Sequence, residues 1–482
     1  MLAEQLARDG NRIAAVRQLA AAARDGLPEA QSKLGLCYLN GEGVPANQAE
    51  ARHWLERAAS GGNVTAQTEL ASLALRGVTG PYRRGAFPPP LATCPAKPDL
   101  QAAANFAREA AHAGSAEAMA LLAFILGLEP LIAESPGEAD ALYKESAQTG
   151  WPPGQLGYAM TLLREQAPGA ISEAHHLLTA AAEAGLPTAH FLLGAMAEAG
   201  TGQEQDLTAA LDHYRIAAER GHISSKTRLG LALLYGRGAR RDTHEAETWL
   251  RRAARDNDAT AAAALGDFYA NAVGQPKNML EAARWYRHAA ELGHPGSARA
   301  LAHVIFAGVE GKPDPSEIAG WLETAIEGGE STAWQDLGGL IASSILPRDQ
   351  LPALHGWLQR MIQQHRPEAG YFVGICVNSG IGTPVDATLA RRYYLWAAGE
   401  GLVEAMVAAA EMLLNGRGGN ADPDLARALF HYAAKRNHAG AVFALGVMAS
   451  NDRASAIEHF RRAAALGHTK AKLLTDADSV PV

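Results

Sequence analysis

Histidines, cysteines and paired glycines are the residues of this chain whose types could do chemistry. Seventeen histidines raise the question of a metal centre. A zinc hydrolase needs two histidines one helical turn apart with a carboxylate between them, and no such run occurs. His175 and His176 are adjacent, so on a helix they point in different directions. Three cysteines, Cys37, Cys94 and Cys376, are too few and too scattered for a disulfide framework. Gly-x-Gly turns recur at Gly41-Glu42-Gly43, Gly200-Thr201-Gly202, Gly236-Arg237-Gly238, Gly380-Ile381-Gly382 and Gly416-Arg417-Gly418. A phosphate loop needs a strand before it, a helix start after it, and a lysine or acidic partner at fixed distance. These turns instead follow helical patterns. No nucleophile elbow, Ser/His/Asp grouping or paired carboxylates stand out. The reading is therefore no catalytic residue, no metal, no cofactor, and not an enzyme.

The elements that carry these residues repeat. With Leu34-Gly35 as landmark, the same slot returns at Gly194, Gly230, Gly266, Ala302, Gly338, Gly374, Ala410 and Gly446, in steps of 36 residues. Upstream it falls at Gly35, Ala71, Ala123 and Gly157, where one step of 52 holds an insertion. That makes twelve units. Each reads as two helices. The first carries Ala30, Leu34, Gly35 and Tyr38 at helical spacing and ends at the Gly-x-Gly turn, whose glycine supplies a left-handed closing residue. Pro45, Asp206, Asp242, Pro276, Pro384 and Asp422 suit the turn and the next helix start. The second carries an aromatic and an alanine pair, as in Trp54 with Ala58-Ala59 or Trp285 with Ala289-Ala290. Trp54, Trp249, Trp285, Trp321 and Trp357 all stand 19 residues after their landmark glycine slot, so they read as packing between helices. One such pair cannot bury its apolar face alone; stacked neighbours can. No alternating strand pattern appears.

Composition agrees. The chain has 482 residues, 48% hydrophobic, with a net charge of -8 and no basic block of the kind nucleic-acid binding needs. Its start has neither a basic nor an apolar leader segment, and Ala118–Leu128, the longest apolar run, is too short to span a bilayer. A cytoplasmic protein is expected, periplasmic only if a signal peptide has been removed.

The pattern resembles the Sel1-like repeat family, relatives of the tetratricopeptide repeats. Residues 30–62 and 261–294 follow its motif almost slot for slot. The resemblance covers about residues 27–468. It implies an all-α, right-handed α-solenoid superhelix of about twelve helix-turn-helix units, capped by residues 1–26 and 469–482. It implies that His222, His294, His438 and His468 fill the motif's turn position and are structural. It implies that Cys37 and Cys376, which share one slot, are buried free thiols, because the second-helix cysteine that secreted relatives pair with it is missing. Several units depart from the motif: the third, fourth, eighth and ninth lack the Gly-x-Gly turn, and the last has it shortened at Ser450-Asn451-Asp452.

The family resemblance implies a scaffold or adaptor that binds proteins or peptides along a concave groove lined by first helices. An alternative is a docking subunit of a glycan synthesis, export or glycosyltransferase complex, associated with a membrane-linked assembly but not inserted. A hydrolase is the remote alternative. By analogy with tetratricopeptide repeats, the outward slots include Phe191, Arg299, His303, Phe306, Tyr371, Ile375, Asn378 and Phe443. The insertion loop 78–99, Pro-rich with Tyr82, Arg83, Arg84 and Phe87, is a second candidate contact, since long loops often carry function and Tyr and Arg often anchor interfaces.

Overall fold

In a computed structural model of the chain, the described residues are 11–77, 98–165, 168–272, 274, 276–343, 351–450 and 452–477. They hold 26 α-helices and one 3-10 turn, and no strand. The chain divides into two compact units, Met1–Asp258 and Ala259–Val482.

The first unit begins with α1 (Arg12–Arg24). Six pairs follow: α2/α3 (Pro28–Asn40, Gln48–Ser60), α4/α5 (Val64–Arg76, Leu100–His112), α6/α7 (Ala116–Leu128, Glu138–Gln148), α8/α9 (Pro152–Glu165, Pro168–Glu183), α10/α11 (Pro187–Ala199, Leu207–Glu219) and α12/α13 (Ile223–Tyr235, Thr243–Arg255). The second unit also holds six: α14/α15 (Ala259–Ala270, Met279–Glu291), α16/α17 (Pro295–Phe306, Pro315–Glu327), α18/α19 (Ala333–Ala342, Leu351–Gln363), α20/α21 (Pro367–Ser379, Ala387–Gly399), α22/α23 (Val403–Leu414, Pro423–Lys435) and α24/α25 (Ala439–Met448, Arg453–Ala465). It closes with α26 (Thr469–Ala477). Twelve periods in the sequence are thus twelve helix pairs.

Local chemistry explains the regularity. Most second helices start at an Asp or Asn whose side chain accepts backbone N–H groups; Asp206 and Asp242 each take two, while α7 starts at Gly137 without such a cap. First helices often start at the motif histidine. Nδ1 of His222, His294, His438 and His468 accepts the N–H three residues on, at 3.1–3.2 Å. These histidines are helix caps. The second glycine of each turn sets how closely neighbouring pairs approach. Gly238 has φ +78°, and a Cβ there would lie 2.2 Å from the Leu207 carbonyl at the start of the preceding second helix. Only glycine tolerates both.

Within each unit the core is built from landmark leucines and alanine pairs. Leu229, Leu265, Leu301 and Leu337 are fully buried, as are Ala253-Ala254. Burying each leucine contributes roughly 2 kcal/mol. Cys376 is buried as expected, whereas Cys37 is only half-buried. Burial pushes the Cys376 thiol up to about 11 and raises Cys37 as well, so both are poor nucleophiles.

Second helices of adjacent pairs are also tied by polar contacts. Trp249 and Trp285 donate their indole N–H to Glu245 and Glu281 one turn earlier. Glu245 is in turn bonded by Arg215 of the preceding second helix, which holds its carboxyl below the usual range. The tryptophan slot is therefore not uniform core: Trp249 and Trp357 are buried, while Trp54, Trp285 and Trp321 are half-buried with a polar edge.

Candidate functional site: two clefts beside the ninth pair

In most pairs the landmark glycine of the first helix is covered by the second helix of the same pair. Cβ atoms built on Gly194, Gly266 and Gly374 would strike Tyr214, Tyr286 and Tyr394, each twenty positions on. Gly338 of α18 breaks the rule. Its neighbour is Phe372, from α20 of the following pair, 2.6 Å from such a Cβ. The backbones of α18 and α19 scarcely meet, unlike the two helices of every other pair. Aromatic rings bridge the gap: Trp334 lies 5.6 Å from Trp357 and 5.8 Å from Phe372, nearly parallel to the latter. Aromatic contacts reach across a spacing that alanine and leucine could not close.

The loosened pair leaves an opening on each side. On the first-helix side, a cleft of about 330 Å³ lies among α16, α17 and α18. Ala302, Ile318, Leu322 and Leu340 make its apolar lining, and Phe306 stands at it 59% exposed. Gly339 leaves this space unfilled, since a Cβ there would meet nothing within 4 Å; other first helices carry Leu231 or Ile375 at that slot. The polar edge is Asp336, whose Oδ2 takes Arg299 Nε at 2.6 Å and His303 Nε2 at 2.9 Å.

On the second-helix side, a cleft of about 410 Å³ lies between α17 and α19. Glu323, Trp357 and Arg360 line it with small residues such as Ala319, Gly320 and Gly356. Burial, with Glu327 adding to it, pushes the Glu323 carboxyl up to about 7, while Arg360 pulls the other way.

The sequence-derived contact residues fall into three groups. Arg299, His303 and Phe306 come together around the first-helix cleft. Phe191, Tyr371 and Phe443 are half-buried and engaged with rings nearby. Phe191 lies 4.6 Å from the capping His222, Phe443 is stacked 4.3 Å from His468, and Tyr371 lies 5.8 Å from Tyr394. Ile375 is half-buried, and Asn378 accepts a hydrogen bond from Arg417 at 2.9 Å. Tyr82, Arg83, Arg84 and Phe87 lie outside the described residues. Sequence reasoning missed Asp336, Gly339 and Glu323. The signal available was the loss of the turn glycines in the eighth and ninth units.

One histidine pair also escaped notice. Nδ1 of His190 and Nδ1 of His213 are 3.2 Å apart, and the ring centroids are 5.5 Å apart. The two nitrogens therefore lie on the line between the rings and face head-on, at a distance that one N–H can bridge. Metal-ligand lone pairs would converge at an angle instead. Burial, then Arg220 and His213, holds His190 down to about 4. Among the described residues, no group of three or more His, Cys, Asp or Glu is placed to hold a metal ion, and no helix is long and apolar enough to cross a membrane.

The described helices define an α-solenoid of short helical hairpins, with its irregularity concentrated where the repeat motif degenerates. The chain belongs to the Sel1 repeat family. The Sel1 repeat matches residues 28–63, 155–186, 187–222, 223–258, 259–294, 367–402, 403–438 and 440–468. Residues 295–366, which build both clefts, fall between matched segments. No curated protein sequence matches the chain. Among solved structures it is similar to c5321, a protective antigen of uropathogenic Escherichia coli strains with an SLR fold. The identity is 21%, the TM-score 0.51, and the coverage 97% of this chain and 98% of that one. It is also similar to a Sel1 repeat protein from Oxalobacter formigenes, at 22% identity and TM-score 0.45, over 70% and 89%. Helical repeats of this kind generally serve as interaction scaffolds.

Proposed function

We propose that this chain is a non-catalytic scaffold that captures a protein or peptide through first-helix surfaces, with the cleft beside Phe306 as its principal contact. The observation that carries this reading is the apolar cleft itself. An exposed phenylalanine stands over an unfilled pocket lined by Ile318, Leu322 and Leu340, rimmed by the Arg299–Asp336–His303 cluster. Apolar anchors in a pocket with a polar rim are the usual energetic centre of an interface. An aliphatic or aromatic side chain of the partner fits the cleft.

The test is to fill the cleft without harming the fold. Gly339→Leu places a side chain into open space, and Phe306→Ala removes the exposed ring. Each variant should lose a partner captured by the wild type while melting at least as high as exposed-site Ala substitutions on its own helix, α16 for Phe306 and α18 for Gly339. Undiminished capture by both variants would show that binding lies elsewhere.

A further inference from the structure

Second helices of neighbouring pairs are joined by a recurring ion pair. Arg108 Nη2 lies 3.2 Å from Glu138, Arg215 bonds Glu245, and Arg287 Nη1 lies 2.6 Å from Glu317. In each case the arginine precedes the glutamate by 30 residues. Arg215 and Arg287 hold one slot of the unit, and Glu245 and Glu317 hold another. At the next junction, between α17 and α19, the arginine slot is Glu323 and the glutamate slot is Ala353. The charge is reversed and its counterpart is gone.

The second-helix cleft of about 410 Å³ opens at this broken rung, with both Glu323 and Ala353 in its wall. The Glu323 carboxylate makes no ion pair or hydrogen bond among the described residues. Its acidic neighbour Glu327 is already engaged, accepting the Trp357 indole N–H at 2.8 Å. Arg360, an exposed residue on the rim, lowers the charge cost without bonding Glu323. Where the junctions of Arg215 and Arg287 hold an arginine, this one holds a half-buried carboxylate beside unfilled space, with no cation among the described residues bonded to it.

We infer that this cleft binds the arginine side chain of a partner segment, whose guanidinium pairs with Glu323 in the space left by Ala353. Arginine is the fitting cation. Its planar fork makes two charge-assisted hydrogen bonds to a carboxylate, and its flat head passes between walls of alanine and glycine. The site is on the second-helix side and does not depend on the cleft at Phe306.

The probe is Nα-acetyl-arginine amide, titrated into the full chain and followed by NMR and tryptophan fluorescence, with the uncharged citrulline analogue as control. Saturable binding is expected for arginine alone. Glu323→Gln should weaken it by at least about tenfold, the loss of a charge-assisted contact, and Arg360→Gln should strengthen it by removing a competitor. The double substitution Glu323→Arg with Ala353→Glu rebuilds the regular rung. It should abolish binding yet melt no lower than the wild type, which separates loss of the site from loss of the fold. No saturable binding of the arginine probe, equal binding of citrulline, or unchanged affinity in Glu323→Gln would each overturn the assignment.

Discussion

Two titrations follow from single side chains. The His190–His213 pair can share one proton but not hold two, and His190 sits near 4 against an ordinary 6.5 because it is buried. A base whose folded pKa is depressed adds stability above its unfolded pKa, and that stability is lost as pH falls through the folded value. Stability should therefore decline from pH 6.5 toward 4, by on the order of 2 kcal/mol for this pair. Melting curves of His190→Leu/His213→Phe should show a flatter acid limb than the wild type; an identical limb would remove the pair as its cause. Glu323 behaves in the opposite sense. Its carboxyl, raised to about 7 by burial and Glu327, contributes stability below 4.5 that is lost as pH rises through 7. Glu323→Gln should raise stability at pH 8 by about 1–2 kcal/mol, allowing for solvent screening, and change little at pH 4. Melting both proteins at the two pH values checks this. At this scale the sequence was partly legible. The turn histidines were readable as structural because they recur with the period. The pairing of His190 with His213 was not, because contact between helices depends on the angle at which each side chain leaves its helix. For the same reason the ring contacts of Phe191 with His222 and of Phe443 with His468 were not legible.

The helices themselves were legible because three independent signals agree on them: small residues every 36 positions, left-handed glycines at first-helix ends, and Asp or Asn caps at second-helix starts. Glycine then has two opposite roles that substitution separates. Gly238→Ala forces a Cβ into the Leu207 carbonyl and a left-handed backbone onto alanine, so a loss of several kcal/mol is expected. Gly339→Ala adds a methyl to open space within α18, so a gain of about 1 kcal/mol is expected from helix propensity. Chemical denaturation of the two variants should give shifts of opposite sign; matching signs would contradict the packing described. The splaying of α18 from α19 was the illegible part. Gly338 looks like every other landmark glycine, and only the structure shows Phe372 of the next pair occupying its surface.

A repeat array gains its stability from neighbour contacts, so a weak unit can persist where its neighbours hold it. The ninth pair is such a unit. The helices of the flanking pairs stay closely packed, while residues 295–366, the eighth and ninth pairs, depart from the motif and hold a cleft on each side. A contact surface placed there can vary without unfolding the array, which favours partner capture at Phe306 and Gly339. The most direct test is affinity capture of the tagged full chain from its own cell lysate under mild crosslinking, run in parallel for the wild type and for Gly339→Leu. Capture through this cleft gives one stoichiometric protein, crosslinked beside Phe306 or Asp336, that is lost when the cleft is filled. The same partner recovered equally by both proteins, or none recovered from folded wild type, would contradict it.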